Sequence, residues 1–106
     1  MRTLPMGREA RAAARLDVHL TAWLREPGSS QKFDVKVRDL SVVGLRLETS
    51  FTLKPGARVF VTFPGLAPLE ATIAWARNYL YGARFDRSLH RAVVDHIARH
   101  YGRPAD

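Results

Sequence analysis

The chain has 106 residues, of which 46% are hydrophobic and 25% charged, and this balance predicts one small globular domain. A formal net charge of +7 predicts an anionic partner such as a nucleotide, a nucleic acid or an acidic surface. Since the chain has no cysteine, no apolar run long enough for a membrane span and no signal-peptide pattern, disulfides and thiol chemistry are excluded, and we expect a cytoplasmic protein.

Residues 1–15 form the first predicted element, a basic N-terminal arm. The arm holds four arginines against one acidic residue and few large apolar side chains, so it should pack weakly on the rest of the chain. Arg8, Arg11 and Arg15 would share one face of a short helix, but a helix of that length is marginal in isolation. We expect a flexible arm that orders on binding, followed by a single domain over residues 16–103.

Six short strands are predicted next. Apolar and polar residues alternate in runs that are separated by turns containing Gly and Pro, a pattern typical of an antiparallel barrel or sandwich. On the fifth strand, Trp75 continues the apolar face, so we expect it in the core. The strands are predicted at Val18–Leu24, Phe33–Asp39, Gly44–Glu48, Arg58–Phe63, Leu69–Ala76 and Tyr81–Phe85.

The last predicted element is an amphipathic helix. Ser88 is expected to cap its N-terminus, and Gly102 follows its last apolar position. The helix should pack an apolar stripe against the strands. That stripe comprises Leu89, Val93, Ile97 and Tyr101.

Two polar motifs have the residue types of a binding site. Arg11 and Arg15 lie in the arm, and Asp39, Ser41 and Gly44 follow the second strand. Arginine can bind phosphate oxygens or donate to guanine O6 and N7, and an ionised aspartate can accept from the opposite edge of guanine. Serine can donate to a phosphate, and glycine permits a positive φ or a close approach to the backbone. Arginine with aspartate indicates a guanine-nucleotide site better than a generic phosphate site.

The two motifs are expected to meet because the first two strands should form a hairpin. Pairing Leu24 with Phe33 places Val18 opposite Asp39, so the second strand ends beside the start of the first. Arg15 leads directly into that start. A bulge would move the register by one residue without separating the motifs.

In this order and spacing, Arg11-x-x-x-Arg15 and Asp39-x-Ser41-x-x-Gly44 resemble the RxxxR and (D/N)xSxxG signatures of PilZ domains, bacterial receptors for cyclic di-GMP. The segments Ala74-Trp75 and Tyr81-Gly82-Ala83-Arg84-Phe85 are similar to later features of that family.

The resemblance implies an all-β fold, a six-stranded antiparallel β-barrel with a C-terminal α-helix. It implies that Arg11 and Arg15 grip guanines and phosphates, that Asp39 and Ser41 contact the ligand, and that Gly44 shapes the turn. Arg8, on the same arm, joins the candidate ligand-binding residues. The family further implies a downstream protein partner, cyclic di-GMP as ligand rather than cofactor, and no catalytic activity.

Two other functions remain open. A basic barrel with exposed aromatics such as Trp23 and Tyr79 could bind nucleic acid, although the dispersed charge of the body disfavours it. A ligand-independent adaptor of the same fold would act through protein contacts alone. No catalytic constellation indicates an enzyme. No metal site is expected, because His96 and His100 lack the glutamate of a zinc-protease helix and Arg99 opposes a cation.

Overall fold

The computed structural model describes residues 14–102, which form six strands and, within that range, one helix. The elements are β1 Leu16–Arg25, β2 Lys32–Leu40, β3 Gly44–Glu48, β4 Arg58–Thr62, β5 Leu69–Arg77, β6 Leu80–Phe85 and α1 Arg91–Tyr101. The strands close into an antiparallel barrel with the neighbour order β1-β2-β3-β6-β5-β4. The predicted six-stranded barrel with a C-terminal helix is confirmed.

The barrel interior is filled by the apolar residues of each alternating strand. On β1, every second side chain from Val18 to Leu24 is buried, whereas His19, Thr21 and Trp23 between them are exposed. Burying one such aliphatic side chain contributes about 1.5–3 kcal/mol before the entropy of ordering is counted. The largest fully buried apolar side chains are Phe63, Leu24, Leu40, Leu45, Leu47 and Ile73.

The β1–β2 hairpin has the predicted register near its turn. Gly28 adopts a φ of 82°, a left-handed conformation that glycine permits without strain, and Leu24 lies opposite Phe33. At the other end, Asp17 rather than Val18 lies opposite Asp39. The predicted pairing of Val18 with Asp39 is wrong by one residue, because the register shifts between Asp17 and Leu20.

A bulge in β2 turns Asp39 to the outer face of the barrel. Val37 pairs with Leu47 and Asp39 pairs with Arg46, so Arg38 is an extra residue relative to β3. Strict alternation from Val37 would direct the Asp39 carboxylate into the apolar interior. Because residues directly opposite each other share a face, the bulge instead places Asp39 on the same side as Arg46.

The N-terminal cap of α1 differs from the expectation. Ser88 is not the cap; His90 is, and its Nδ1 accepts the backbone N–H of Ala92 at 3.0 Å. The N–H of Leu89 donates to the carbonyl of Val42 at 2.7 Å, a tertiary bond that places residue 89 against the loop after β2. The helix therefore begins after this bond, two residues later than the Ser88 cap implies.

Helix α1 packs on the barrel through one face. Val94 and Ile97 are its buried residues, while Leu89, Val93 and Tyr101 contact the core at its edge. Gly102 ends the helix and forms an antiparallel bridge with Val18, which ties the helix to β1. In the part of the chain from residue 14 to 102, no helix has the length and apolar character needed to cross a membrane.

Candidate functional site

Arg15 contacts Asp39 at the point where the chain enters β1. Its Nη1 donates to Oδ1 of Asp39 at 2.8 Å. The hairpin positions this contact, because Leu16 at the start of β1 pairs with Leu40 at the end of β2. The structure thus brings Arg15 and the second motif together as the hairpin geometry predicted.

The prediction also includes two other arginines of the arm. Arg8 and Arg11 lie outside the described residues 14–102, so their placement beside Asp39 stays a prediction. The ligand-binding roles of all six candidate residues also stay predictions, since geometry alone does not test them.

Arg46 holds the second oxygen of the same carboxylate. Its Nε donates to Oδ2 of Asp39 at 2.5 Å across the β2–β3 pair. Arg46 was not among the residues expected at the site, because an outward arginine in an alternating strand is typical of a solvated position. Only the bulge at Arg38, which no local periodicity signals, brings the Asp39 carboxylate onto its face.

Asp39 therefore anchors two guanidinium groups. Its side chain is only 1% exposed, whereas those of Arg15 and Arg46 are 47% and 41% exposed. A carboxylate withdrawn from water needs paired charges and hydrogen bonds, and the two arginines supply both. Each arginine spends one donor on Asp39 and has further N–H groups, so the cluster can donate to an anionic or acceptor-rich ligand.

Ser41 builds the turn that follows β2. Its hydroxyl oxygen accepts the N–H groups of Val43 and Gly44, each at 3.2 Å. The backbone N–H of Ser41 donates to the carbonyl of Gly44 at 2.8 Å. The side chain is fully buried, so its clear role is to fix the backbone of this turn beside Asp39.

Gly44 is required by the packing of β6. Its φ is not in the left-handed region, so of the two expected reasons for glycine the positive φ does not apply. A Cβ at this position would overlap the carbonyl oxygen of Ala83 on β6. Glycine therefore allows β3 to approach β6 closely, and this approach holds the turn against the barrel.

Trp75 lies outside the core. The register of β5 against β6 shifts between Ile73 and Trp75, and Trp75 pairs with Gly82, an outward position. The indole occupies the space that a Cβ on Gly82 would need, and the side chain is partly exposed. The expectation of a core Trp75 is wrong because the irregularity turns it to the outer face.

Residues that lie opposite one another on five neighbouring strands form one continuous row on the outer face of the barrel. Asp39 and Arg46 are direct neighbours, Arg46 faces Gly82, and Gly82 faces Trp75. Arg84, exposed and directly opposite Gly44, lies beside the row and was also not expected at the site. The row thus combines arginine donors with an aromatic surface. In strand order it comprises Asp17, Asp39, Arg46, Gly82 and Trp75.

One other candidate site lies away from this row. A cavity of about 480 Å³ on the outer face is lined by Thr21, Lys36, Glu48 and Tyr79 among others, but by no residue of the two motifs. Over residues 14–102 no three metal-ligating side chains come together. The ligand site predicted from the two motifs therefore concerns the open surface around Asp39 rather than this concavity, and it stays a prediction.

Comparison with known proteins agrees with this architecture. The model of the PilZ domain family matches residues 9–103. Among solved structures, the PlzA protein of Borreliella burgdorferi in complex with c-di-GMP is similar in fold, with a TM-score of 0.63 and 16% sequence identity. The match covers 93% of this chain and 44% of PlzA, so the chain spans less than half of that protein. No curated protein matches the sequence.

Proposed function

Because the chain belongs to the PilZ domain family, we propose that it binds cyclic di-GMP and acts as a receptor or adaptor rather than as an enzyme. One observation carries the proposal: Nη1 of Arg15, in the RxxxR motif, lies 2.8 Å from Oδ1 of Asp39, in the DxSxxG motif. An arginine and a carboxylate side by side provide the donors and the acceptor that a guanine nucleotide requires. The similarity of the fold to PlzA, whose structure contains c-di-GMP, supports the same ligand.

Each candidate residue has a distinct role in this proposal. Arg11 and Arg15 donate to guanine and phosphate oxygens, with Arg8 adding positive charge nearby. Asp39, whose side chain is 1% exposed, holds Arg15 and Arg46 toward the ligand, and it accepts from guanine when one of these arginines moves aside. Ser41 and Gly44 hold the turn on which the ligand rests.

Trp75 adds a stacking surface at the far end of the outer row. Its indole is partly exposed on the same face as Arg46 and lies over Gly82, the residue directly opposite Arg46. Aromatic side chains stack on nucleobases with little dependence on sequence, so the indole can receive a guanine.

In this proposal, ligand binding is signalled when the N-terminal arm, residues 1–15, closes over the bound ligand. Residues 1–15 carry a net positive charge and the ligand carries two phosphates, so the bound ligand attracts the arm onto the turn. Ordering the arm changes the surface that a downstream protein meets. Amide hydrogen exchange should show protection of residues 1–15 on adding cyclic di-GMP, and unchanged exchange there would contradict this part of the proposal.

Calorimetry on the purified chain tests the ligand. We expect micromolar or tighter binding of cyclic di-GMP, lost in Arg11→Ala and Arg15→Ala and kept in Arg77→Ala, an exposed arginine at the end of β5. Equal affinity for cyclic di-AMP would contradict guanine recognition.

The same preparation tests the nucleic-acid alternative. A steeply salt-dependent affinity for single-stranded oligonucleotides that Asp39→Ala leaves unchanged, without cyclic di-GMP binding, would overturn the proposal in favour of that function.

A further inference from the structure

We propose that Arg46 is a third arginine of the ligand site and that its terminal nitrogens bind a phosphate of cyclic di-GMP; this inference rests on the proposed function. The residue lies outside both sequence motifs, on β3, and reaches the site only because of the bulge in β2.

The first support is the way in which Arg46 is held. Only its Nε is used by Asp39, at 2.5 Å, so the edge of the guanidinium that carries both terminal nitrogens is left for another acceptor. Within residues 14–102, Asp39 is the one ion-pair partner of Arg46. With 41% of its side chain exposed, Arg46 is anchored at one edge and accessible to a ligand at the other.

The second support is charge. Arg15 and Arg46 share the Asp39 carboxylate, and Arg84 beside the row offsets the exposed Asp17, so these five side chains keep one positive charge in excess on the outer face. A ligand with two phosphates matches that excess, and a guanidinium fork fits phosphate oxygens in a planar, paired geometry. Because the buried Asp39 already restricts Arg46, less side-chain freedom is lost when the ligand binds.

The third support is the space beside Arg46. Its neighbour on β6 is Gly82, which presents no side chain, and the next residue in the row is the flat indole of Trp75. Because the indole lies over Gly82, the residue directly opposite Arg46, a ligand stacked on the exposed part of the indole would lie next to the Arg46 guanidinium. Arg38, one residue before Asp39 on β2, instead uses its own Nη1 on Glu48 at 2.9 Å.

Arg38 therefore provides a matched control. Arg46→Gln and Arg38→Gln each remove one partly exposed arginine from the same face of the barrel, so they change its net charge equally. We expect Arg46→Gln to weaken cyclic di-GMP binding by about tenfold or more, the loss of a charge-assisted hydrogen bond. Arg38→Gln should change the affinity by less than about threefold, as for a solvated pair.

Arginine side-chain NMR of the wild-type protein tests direct contact without relying on a variant. Adding cyclic di-GMP should shift the terminal guanidinium signals of Arg46 and slow their exchange, while those of Arg38 stay in place. If the ligand binds and the terminal signals of Arg46 do not respond, Arg46 serves only to hold Asp39 and the inference is overturned.

The two proposals fail in different ways. Suppose that the wild-type protein binds cyclic di-GMP and that Arg46→Gln, shown by thermal unfolding to be folded, binds it equally well. The inference about Arg46 is then overturned, while the proposed receptor function stands. If wild-type protein does not bind, the proposed function itself is overturned, and this inference with it.

Discussion

The indole of Trp75 covers Gly82 on the outer face of the barrel, and its Nε1 lies where the first side-chain carbon of any other residue would be. In the strand register, Gly82 lies between the backbone positions of Trp75 and Arg46. The glycine therefore determines where the aromatic surface of the candidate site lies.

Gly82→Ala should displace the indole and weaken the site. Overlap of a new methyl group with packed atoms costs about 1–3 kcal/mol of unfolding free energy. Urea unfolding in a Trp23→Phe background, which leaves Trp75 as the one tryptophan, would report both the stability and the new environment of the indole. Followed by circular dichroism, Gly82→Ala should cost less stability in a Trp75→Ala protein than in the wild type, and an equal cost would show that the indole is not the obstacle.

Gly44→Ala should destabilise the chain more than a glycine change in an open turn. The added Cβ would meet a backbone carbonyl oxygen, that of Ala83, which cannot rotate away. We expect a loss of about 2–3 kcal/mol by urea unfolding. Gly28→Asn is the control, because asparagine tolerates the left-handed φ there and nothing lies within 4 Å. Equal stability of the two variants would contradict the close β3–β6 approach.

Ser41→Ala should loosen the turn and weaken ligand binding together. Without the hydroxyl, the N–H groups of Val43 and Gly44 lose their acceptor, at a cost of about 1–3 kcal/mol. Ser30→Ala, in the exposed β1–β2 turn, should change stability by less than about 0.5 kcal/mol. Thermal unfolding and calorimetry of the two proteins would decide the matter, and a Ser41→Ala protein as stable as Ser30→Ala would refute the role in the turn.

Tyr81→Phe should loosen the loop after β3. The buried phenol donates to the carbonyl of Phe51 at 3.0 Å and accepts the N–H of Leu53 at 3.1 Å. Removing both bonds should lower the unfolding free energy by about 1–2 kcal/mol. Tyr79→Phe is the control for loss of a phenol group. Because Tyr79 is 66% exposed, this substitution should leave the urea midpoint unchanged. A matching loss in both variants would point to a cause other than the loop bonds.

Local periodicity predicted the strands and their order along the chain, because alternation and turn residues are properties of neighbouring residues. The bounds of β3, Gly44–Glu48, were predicted to the residue. Periodicity did not predict the face of Trp75, since a register shift depends on hydrogen bonds with another strand. The prediction that Ser88 caps the helix was wrong for a similar reason: the N–H of Leu89, the next residue, donates to the carbonyl of Val42 in a loop distant in sequence.

The candidate site was predicted in part. Asp39 and Arg15 were expected together because a hairpin must return to its start, whatever its exact register. Arg46 was not expected, because its partnership with Asp39 requires the additional residue in β2. The kind of ligand inferred from the residue types stays a prediction, while the contact of Arg46 with Asp39 could be found only from the three-dimensional arrangement.

The extra residue in β2 also has a consequence for how the length of this chain can vary. Arg38 and Asp39 together oppose Arg46, so a protein lacking residue 38 would still direct the aspartate outward and Leu40 inward. A single deletion in a regular strand would exchange inside and outside for everything downstream, whereas here it would make the β2–β3 pairing regular and leave Val18 and His19 of β1 without an opposing residue on β2. Loss of residue 38 would therefore keep the second motif outward only if β1 accommodates this larger bulge.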